Sequence, residues 1–277
     1  MPELPELEVV SEVLNRRIVD RPITRVEVIA PGGAIVLRDL TGRGLEATLA
    51  HDRFTGVRRR GKFLIFSLQA ASALALVINP KLTGRLQLAT AGDKRYAKTA
   101  LAFTFDDSQE LRYVDAKLMG QVYLTTHVVD VPGFADMGPE ALEISLAEFK
   151  ERLRPFRGEI KGVLVRSEFV AGIGNAYADE ILWAARLHPY RKRTQLTDAE
   201  IDRLYAAMRA TLIEATDKMR VEMGENIHRE PRTFLNVHLR TGAPCPRCGA
   251  PIALVSANQR ITNFCRTCQP GGLIKGM

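Results

Sequence analysis

Cys245-Pro-Arg-Cys248, then sixteen residues, then Cys265-Arg-Thr-Cys268 is the pattern around which the rest of this chain is read. Two tight cysteine pairs at this separation match a tetrahedral four-thiolate zinc site, each pair presented from one knuckle turn. Two disulfides or four buried thiols are the alternatives. A cytosolic setting argues against disulfides, and a core needing thiols would not confine all four to one short segment. Pro244, Pro246, Gly249 and Pro251 suit the knuckle turns, and residues 252–256 with 263–265 predict a hairpin between the pairs. A segment this short cannot bury an adequate core without help, so one structural zinc ion is expected.

The same tail carries a charge signature. The chain has 39 Lys+Arg against 32 Asp+Glu, a net charge of +7. Residues 231–277 hold Arg232, Arg240, Arg247, Arg260, Arg266 and Lys275 and no acid; removing these six from +7 leaves +1 for the first 230 residues. A cationic end on a balanced body points to a polyanionic partner, with a solvated basic face as the plain alternative. At 46% hydrophobic and 26% charged residues, disordered and collagen-like chains are excluded. The most apolar stretch, 63–78, is broken by Ser67, Gln69 and Ser72 and is too short to span a bilayer. No basic and apolar leader opens the sequence, so a cytoplasmic protein is expected.

The 277 residues suggest about two domains with room for a small third, at roughly 150 residues per domain. Near the start, Pro5 suits a first helical turn, Glu6 and Glu8 favour its positive end, and Val9, Val10, Val13, Leu14 and Ile18 recur at helical spacing. From residue 23 to about 125 the pattern becomes short apolar strands, at 23–29, 62–68, 73–78, 99–105 and 120–124. Strands without intervening helices predict an antiparallel β-sandwich or barrel. Val131-Pro-Gly-Phe and Gly138-Pro139 mark a linker. Ser145-Leu-Ala-Glu is a capping box opening a helix to about 153, and further helices are expected at 160–166, 176–187 and 197–219. The expected fold is therefore multidomain α+β, with an N-terminal helix and β-sandwich (1–131), a helical domain (138–230) and a zinc-finger hairpin (231–277).

Within the helical part, Val170-Ala-Gly-Ile-Gly-Asn175 places two glycines between helices, where a tight turn would aim a helix N-terminus at a phosphate. By itself such a turn is usually only a connector. Three separate motifs, in order and spread over the whole length, change its weight. Met1-Pro-Glu-Leu-Pro-Glu6, the helix–two-turn–helix segment Ile160-Lys-Gly-Val-Leu through Val170-Ala-Gly-Ile-Gly-Asn-Ala-Tyr-Ala-Asp-Glu-Ile-Leu182, and the finger with Gln259-Arg260-Ile-Thr before Cys265 together resemble the formamidopyrimidine-DNA glycosylase family. This is a bacterial base-excision repair family that includes endonuclease VIII. Leu4 resembles the formamidopyrimidine branch, since endonuclease VIII usually carries glycine there.

The resemblance implies a bifunctional DNA glycosylase and AP lyase, monomeric and associated with the bacterial nucleoid. It would act on duplex DNA with damaged bases or abasic sites. The nucleophile would be the amine of Pro2, freed by removal of Met1, and Glu3 beside it the general acid/base. An α-amino group ionises at about 7.7–8.0, so a useful neutral fraction exists at physiological pH. Attack on the sugar C1′ would lead to a Schiff base that drives β,δ-elimination. Lys62, after Arg58-Arg-Arg-Gly61, matches a phosphate-contacting lysine that assists elimination, and Arg260 an arginine beside the lesion phosphate. Glu6 matches a second acidic position. Asn175 would grip the same backbone, and Lys161 and Arg157 are further candidates for DNA contact.

Departures from the family pattern concentrate where a flipped base would be replaced. His-Leu-Gly-Met-Ser-Gly is common in the family; here Asn79-Pro-Lys-Leu-Thr-Gly84 stands instead, and Asp115-Ala-Lys-Leu-Met-Gly120 replaces Asp-Pro-Arg-Arg-Phe-Gly. Leu82 remains an apolar wedge, Lys117 a cation and Met119 a flexible plug, although apolar residues at strand ends are often core. A short segment, 223–235, replaces a longer lesion-capping loop. Formamidopyrimidine and 8-oxoguanine are the favoured lesions. Oxidised pyrimidines or abasic sites are the alternative substrates, and a weakly catalytic damaged-DNA-binding protein is the alternative of a different class.

Overall fold

Four phenylalanine rings show how the N-terminal strands are layered. Phe54 lies 5.1 Å from Phe66, 5.9 Å from Phe103 and 6.5 Å from Phe105, all fully buried and at tilted or edge-to-face angles. Phe54 and Phe66 belong to one sheet and Phe103 and Phe105 to another, so these rings are the filling between two sheets. The computed structural model describes residues 1–69, 73–257 and 260–271.

The elements run α1 (Leu4–Arg17), β1 (Ile23–Val28), α2 (Gly32–Val36), β2 (Leu37–Asp39), α3 (Leu45–Leu49), β3 (Phe54–Arg60), β4 (Phe63–Leu68), β5 (Ala75–Asn79), β6 (Gly84–Thr90), β7 (Thr99–Phe105), β8 (Gln109–Asp115) and β9 (Gln121–Thr125). After a linker come α4 (Leu146–Leu153), α5 (Ile160–Leu164), α6 (Asn175–Ala184), α7 (Asp198–Met223) and the hairpin β10 (Ile252–Ala257) and β11 (Arg260–Cys265). One sheet has the order β2-β9-β5-β4-β3 and the other β1-β7-β8-β6. All ladders are antiparallel except β2–β9. The sandwich expected from sequence is present, and α1 is fastened to it through polar side chains: Ser11 Oγ donates to Val57 O at 2.9 Å and Asn15 Oδ1 accepts from Val57 N at 3.0 Å.

Chain contacts group the residues in two compact units, Met1–Ala135 with Lys218–Pro231, and Asp136–Asp217 with Arg232–Met277. The segment 218–230, placed by sequence with the helical domain, thus falls with the first unit. The reason is local: Arg220 donates to Glu12 Oε1 at 2.7 Å and to Glu12 Oε2 at 3.0 Å, and Met223 and Ile227 are buried.

The second unit contains the helices and the hairpin. Ser145 caps α4 by accepting from Glu148 N at 3.2 Å, as the capping-box spacing predicts. Gly172 takes φ +101°, a conformation that L side chains rarely adopt, so the turn into α6 depends on glycine. Helices α5 and α6 end two or three residues before their predicted limits, and α7 runs four residues past its own. Four strands, β2, β3, β6 and β8, escaped the sequence reading altogether. Of these, β3 contains Arg58, Arg59 and Arg60 and forms the outer edge of its sheet, where cations discourage further pairing.

Candidate active site and metal centre

The chain enters α1 through a reciprocal capping box. Glu3 is the N-cap in extended conformation, and its N–H donates to Glu6 Oε2 at 2.9 Å. Pro2, Glu3 and Glu6 are all buried, Glu3 and Glu6 at 1% exposure each, so this terminus is held in the protein and not frayed. Two carboxylates beside the positive end of a 14-residue helix are favourably placed electrostatically.

Pro2 and Glu6 line an open concavity in the first unit, with Leu64 and Ile78 as apolar wall and Arg85, Arg229 and Glu230 as charged groups. Arg85 Nη2 lies 2.5 Å from Glu230 Oε2, and the amine of Met1 lies 3.5 Å from Glu230 Oε1. Arg85, Arg229 and Glu230 were missed in the sequence. Arg85 follows a glycine at a strand start, which is an ordinary position, and only the three-dimensional return of residues 223–230 makes Arg229 and Glu230 relevant.

Lys62 stands half-buried in the turn between β3 and β4, two residues before Leu64. Leu82 and Met119 are exposed, at 41% and 51%, and Lys117 is exposed as well. They sit on the two turns that leave paired ends of β6 and β8, where Gly84 faces Asp115. Tyr113 is wholly buried beside these turns, and burial, reinforced by the Asp115 charge and hydrogen bond, raises its phenol well above the ordinary value.

In the second unit Asn175, the first residue of α6, is half-buried and its amide donates to Ile261 O at 2.9 Å. Arg157 is exposed. Lys161 is a correction to the sequence reading. It is buried, with Nζ 2.6 Å from Asp179 Oδ1 and donating to Ile261 O at 2.9 Å and Thr262 Oγ1 at 2.8 Å. A lysine so engaged ties α5 to the hairpin, because leaving an ammonium unpaired in that interior would be costly. Arg260 opens β11 by its backbone, but its side chain lies outside the described residues, as does Gln259.

Two acids that sequence reading passed over do much of the anchoring. Asp179 also meets His238 Nδ1 at 2.8 Å and accepts from Asn263 N at 3.2 Å. Glu180 accepts from Asn236 N at 2.8 Å, Val237 N at 2.8 Å and His238 N at 2.9 Å. Their signal was present: Asp179-Glu180 interrupts an otherwise apolar helix face, and buried acids require partners.

The four cysteine sulfurs lie within 4.8 Å of one another. A tetrahedral zinc with Zn–S of about 2.3 Å would separate its sulfurs by roughly 3.8 Å. The observed Cys245–Cys268 distance of 3.9 Å and Cys248–Cys265 distance of 3.4 Å bracket that value. The thiols are free, and the donor set fits one structural zinc. Trp183 Nε1 donates to Cys245 Sγ at 3.4 Å, and the Arg247 guanidinium covers the Trp183 ring at 4.1 Å, so α6 supports the site from behind.

Comparison with known proteins agrees with this arrangement along the chain. Residues 1–122 match the model of the formamidopyrimidine-DNA glycosylase N-terminal domain, 137–226 that of the formamidopyrimidine-DNA glycosylase H2TH domain, and 242–271 the zinc finger found in FPG and IleRS. A formamidopyrimidine-DNA glycosylase of Symbiobacterium thermophilum is 37% identical over 279 residues, spanning 98% of this chain and 90% of the relative. One from Pelotomaculum thermopropionicum is 36% identical, spanning 97% of this chain and 99% of the relative. Among solved structures, Lactococcus lactis Fpg in complex with abasic-site DNA superposes with a TM-score of 0.86 at 32% identity, covering 97% of this chain and 100% of that one. A MutM complex with DNA containing carbocyclic 8-oxo-G gives a TM-score of 0.86 at 32% identity, covering 98% and 100%. Among the described residues, no helix is long and apolar enough to cross a membrane.

Proposed function

The chain belongs to the formamidopyrimidine-DNA glycosylase family, and from that premise we propose that it is a bifunctional DNA glycosylase and AP lyase of base-excision repair that uses the Pro2 amine as nucleophile. The observation that carries this reading is the burial of Pro2 at the edge of the concavity, beside Glu3 and Glu6 on a capped helix start. A random N-terminus would fray. This one is held where a secondary amine with a neighbouring carboxylate can meet a substrate.

Once Met1 is removed, the Pro2 nitrogen attacks C1′ of the damaged nucleotide. The N–C1′ bond forms as the C1′–base bond breaks, and the departing base takes a proton supplied from Glu3 or solvent. Opening of the sugar ring, with a proton delivered to its ring oxygen, leaves an iminium between Pro2 and C1′. That cation acidifies the C2′ hydrogen; its removal expels the 3′ phosphate, and a second elimination expels the 5′ phosphate. Lys62 and Arg260 contact the phosphates and stabilise their departing charge. Asn175 at the start of α6 holds the same backbone, and Arg157 adds an outer cation. Leu82, Met119 and Lys117 fill the space of the extruded base and face its orphaned partner.

Zinc, when bound, supplies structure to the hairpin. Cys245, Cys248, Cys265 and Cys268 would hold that ion, and its role would be structural. The favoured substrates are formamidopyrimidine and 8-oxoguanine lesions in duplex DNA, in line with relatives solved on a Fapy-dG-containing DNA and on carbocyclic 8-oxo-G DNA. Association with the nucleoid follows from such a substrate, and a monomer suffices for it.

Borohydride reduction on an abasic-site duplex tests the reading. The native protein should be trapped covalently, and Pro2→Gly should abolish or greatly slow trapping. A native protein that binds the duplex without crosslinking would instead be a damaged-DNA-binding scaffold.

A further inference from the structure

The carboxylate of Asp115 is fully buried at the end of β8 and gathers groups from both turns that carry the candidate wedge residues. Its Oδ1 accepts from the Thr83 hydroxyl, in the turn that displays Leu82, and from Lys117 N at 3.2 Å, in the turn that displays Met119. Its Oδ2 accepts from Gly120 N at 2.7 Å and from the Tyr113 hydroxyl at 3.4 Å. The Thr83 hydroxyl oxygen in turn accepts from Lys117 N at 3.1 Å, so the two turns are also joined directly.

Sterics close the same joint. A Cβ at Gly120 would lie 1.7 Å from Tyr113 Oη and 2.9 Å from Asp115 Oδ2, and one at Gly84 would lie 2.2 Å from Tyr113 Oη. Both turns therefore approach the phenol as closely as bare backbone allows. Residues 81 and 118, next to the displayed side chains, have φ of +48° and +52° without being glycine. Such backbone persists only where its surroundings over-determine it. Arg85 adds a link toward the concavity, donating from Nη1 to Gly84 O at 2.7 Å.

We propose that Asp115, with Thr83 and Tyr113, is a positioning latch that locks the two turns into one rigid body, so that Leu82, Met119 and Lys117 enter the duplex together. The latch touches no reacting atom. Its work is to keep exposed side chains on strained turns from spending entropy when they insert, which is what preorganisation means here. This inference rests on the reading of Leu82 and Met119 as the wedge. It adds the residues that set how well the wedge works.

The distinguishing prediction is a split between substrates. Extruding a paired base is costly, whereas an abasic nucleotide has no base to unstack. Thr83→Val removes the hydroxyl at nearly constant shape. Losing one hydrogen bond to a charged acceptor should slow single-turnover release of 8-oxoguanine from duplex DNA about tenfold or more. Borohydride trapping on an abasic-site duplex should stay within about twofold of native, because that substrate bypasses the unstacking step. Thr83→Ser, which restores the hydroxyl, should return base release to near native rates. Asp115→Asn should show the same split, with its thermal melt reporting any loss of fold.

Leu82→Ala and Met119→Ala are measured alongside to separate the wedge from the latch. If they slow base release while Thr83→Val does not, the wedge stands and the latch is overturned. If neither wedge variant affects base release, the wedge reading fails and the latch falls with it. A Thr83→Val protein in which base release and abasic-site trapping fall equally also overturns the latch, since the residue would then serve only general stability.

Discussion

The Glu3 N–H donates to Glu6 Oε2 at 2.9 Å, so the residue proposed as acid/base and the acid three positions on are parts of one capping device. The device fixes the direction in which residue 2 enters the helix and keeps Pro2 buried. The proposed chemistry and the helix cap therefore draw on the same side chains at this terminus. Losing the box should affect both.

Glu6→Ala should lower stability by about 1 kcal/mol, the usual worth of an N-terminal cap. It should also slow abasic-site trapping by about tenfold through loss of orientation. Glu6→Gln keeps an acceptor at this position and should lie closer to the native protein on both counts. Thermal melts and trapping rates on the three proteins check this, and an unaltered trapping rate in Glu6→Ala would separate capping from catalysis.

Cys265→Ser removes one of the four thiolates that converge in the hairpin module. Metal analysis should find about one zinc per native chain and a large loss in the variant, because ligand count sets affinity. Affinity for abasic-site DNA should fall with it. Unchanged zinc content would refute the four-thiolate site.

Gly120→Ala should destabilise the first unit by roughly 2–4 kcal/mol, in the class of severe overpacking. The obstacle is the far end of one side chain, Tyr113 Oη at 1.7 Å from the new Cβ. Tyr113→Phe should therefore recover part of that loss in the double variant, a coupling readable from a double-mutant cycle of chemical melts. Strict additivity would show that the close approach is relieved elsewhere.

Acid should weaken the sandwich through Glu110. Burial alone would raise its carboxyl pKa, but Arg95 at 2.8 Å and Arg112 at 2.6 Å hold it below the ordinary range. A carboxylate lowered on folding contributes stability above its unfolded pKa of about 4.3, and that contribution is lost as pH falls through the folded value. Glu110→Gln should thus be less stable at pH 7, and the gap to the native protein should narrow between about pH 5 and 3. A gap constant with pH would remove Glu110 from the acid response.

Much of this molecule was legible before its structure. The cysteine spacing marked the metal site because thiolate geometry leaves little freedom, and Ser145-Leu-Ala-Glu marked a helix start because capping is local chemistry. The strand β7 was read at its true limits from its apolar run. What escaped depends on long-range return. The strands β6 and β8 mix polar and apolar residues, and Arg112 within β8 is fully buried because Glu110 and the backbone oxygens of Thr90 and Asp93 meet its guanidinium. Lys161 looked like a surface cation until Asp179 stood beside it. Arg85 and Glu230 pair across 145 positions of sequence, a distance that no periodicity can announce.

The proposed reaction begins at the Pro2 nitrogen, which would bond to the sugar. Peptide mapping by mass spectrometry of the borohydride-trapped protein locates that bond directly. The predicted result is a deoxyribose adduct on the peptide that begins at Pro2, with Met1 absent. An adduct on Lys62 or another lysine, or a trapped chain that still carries Met1, would contradict it.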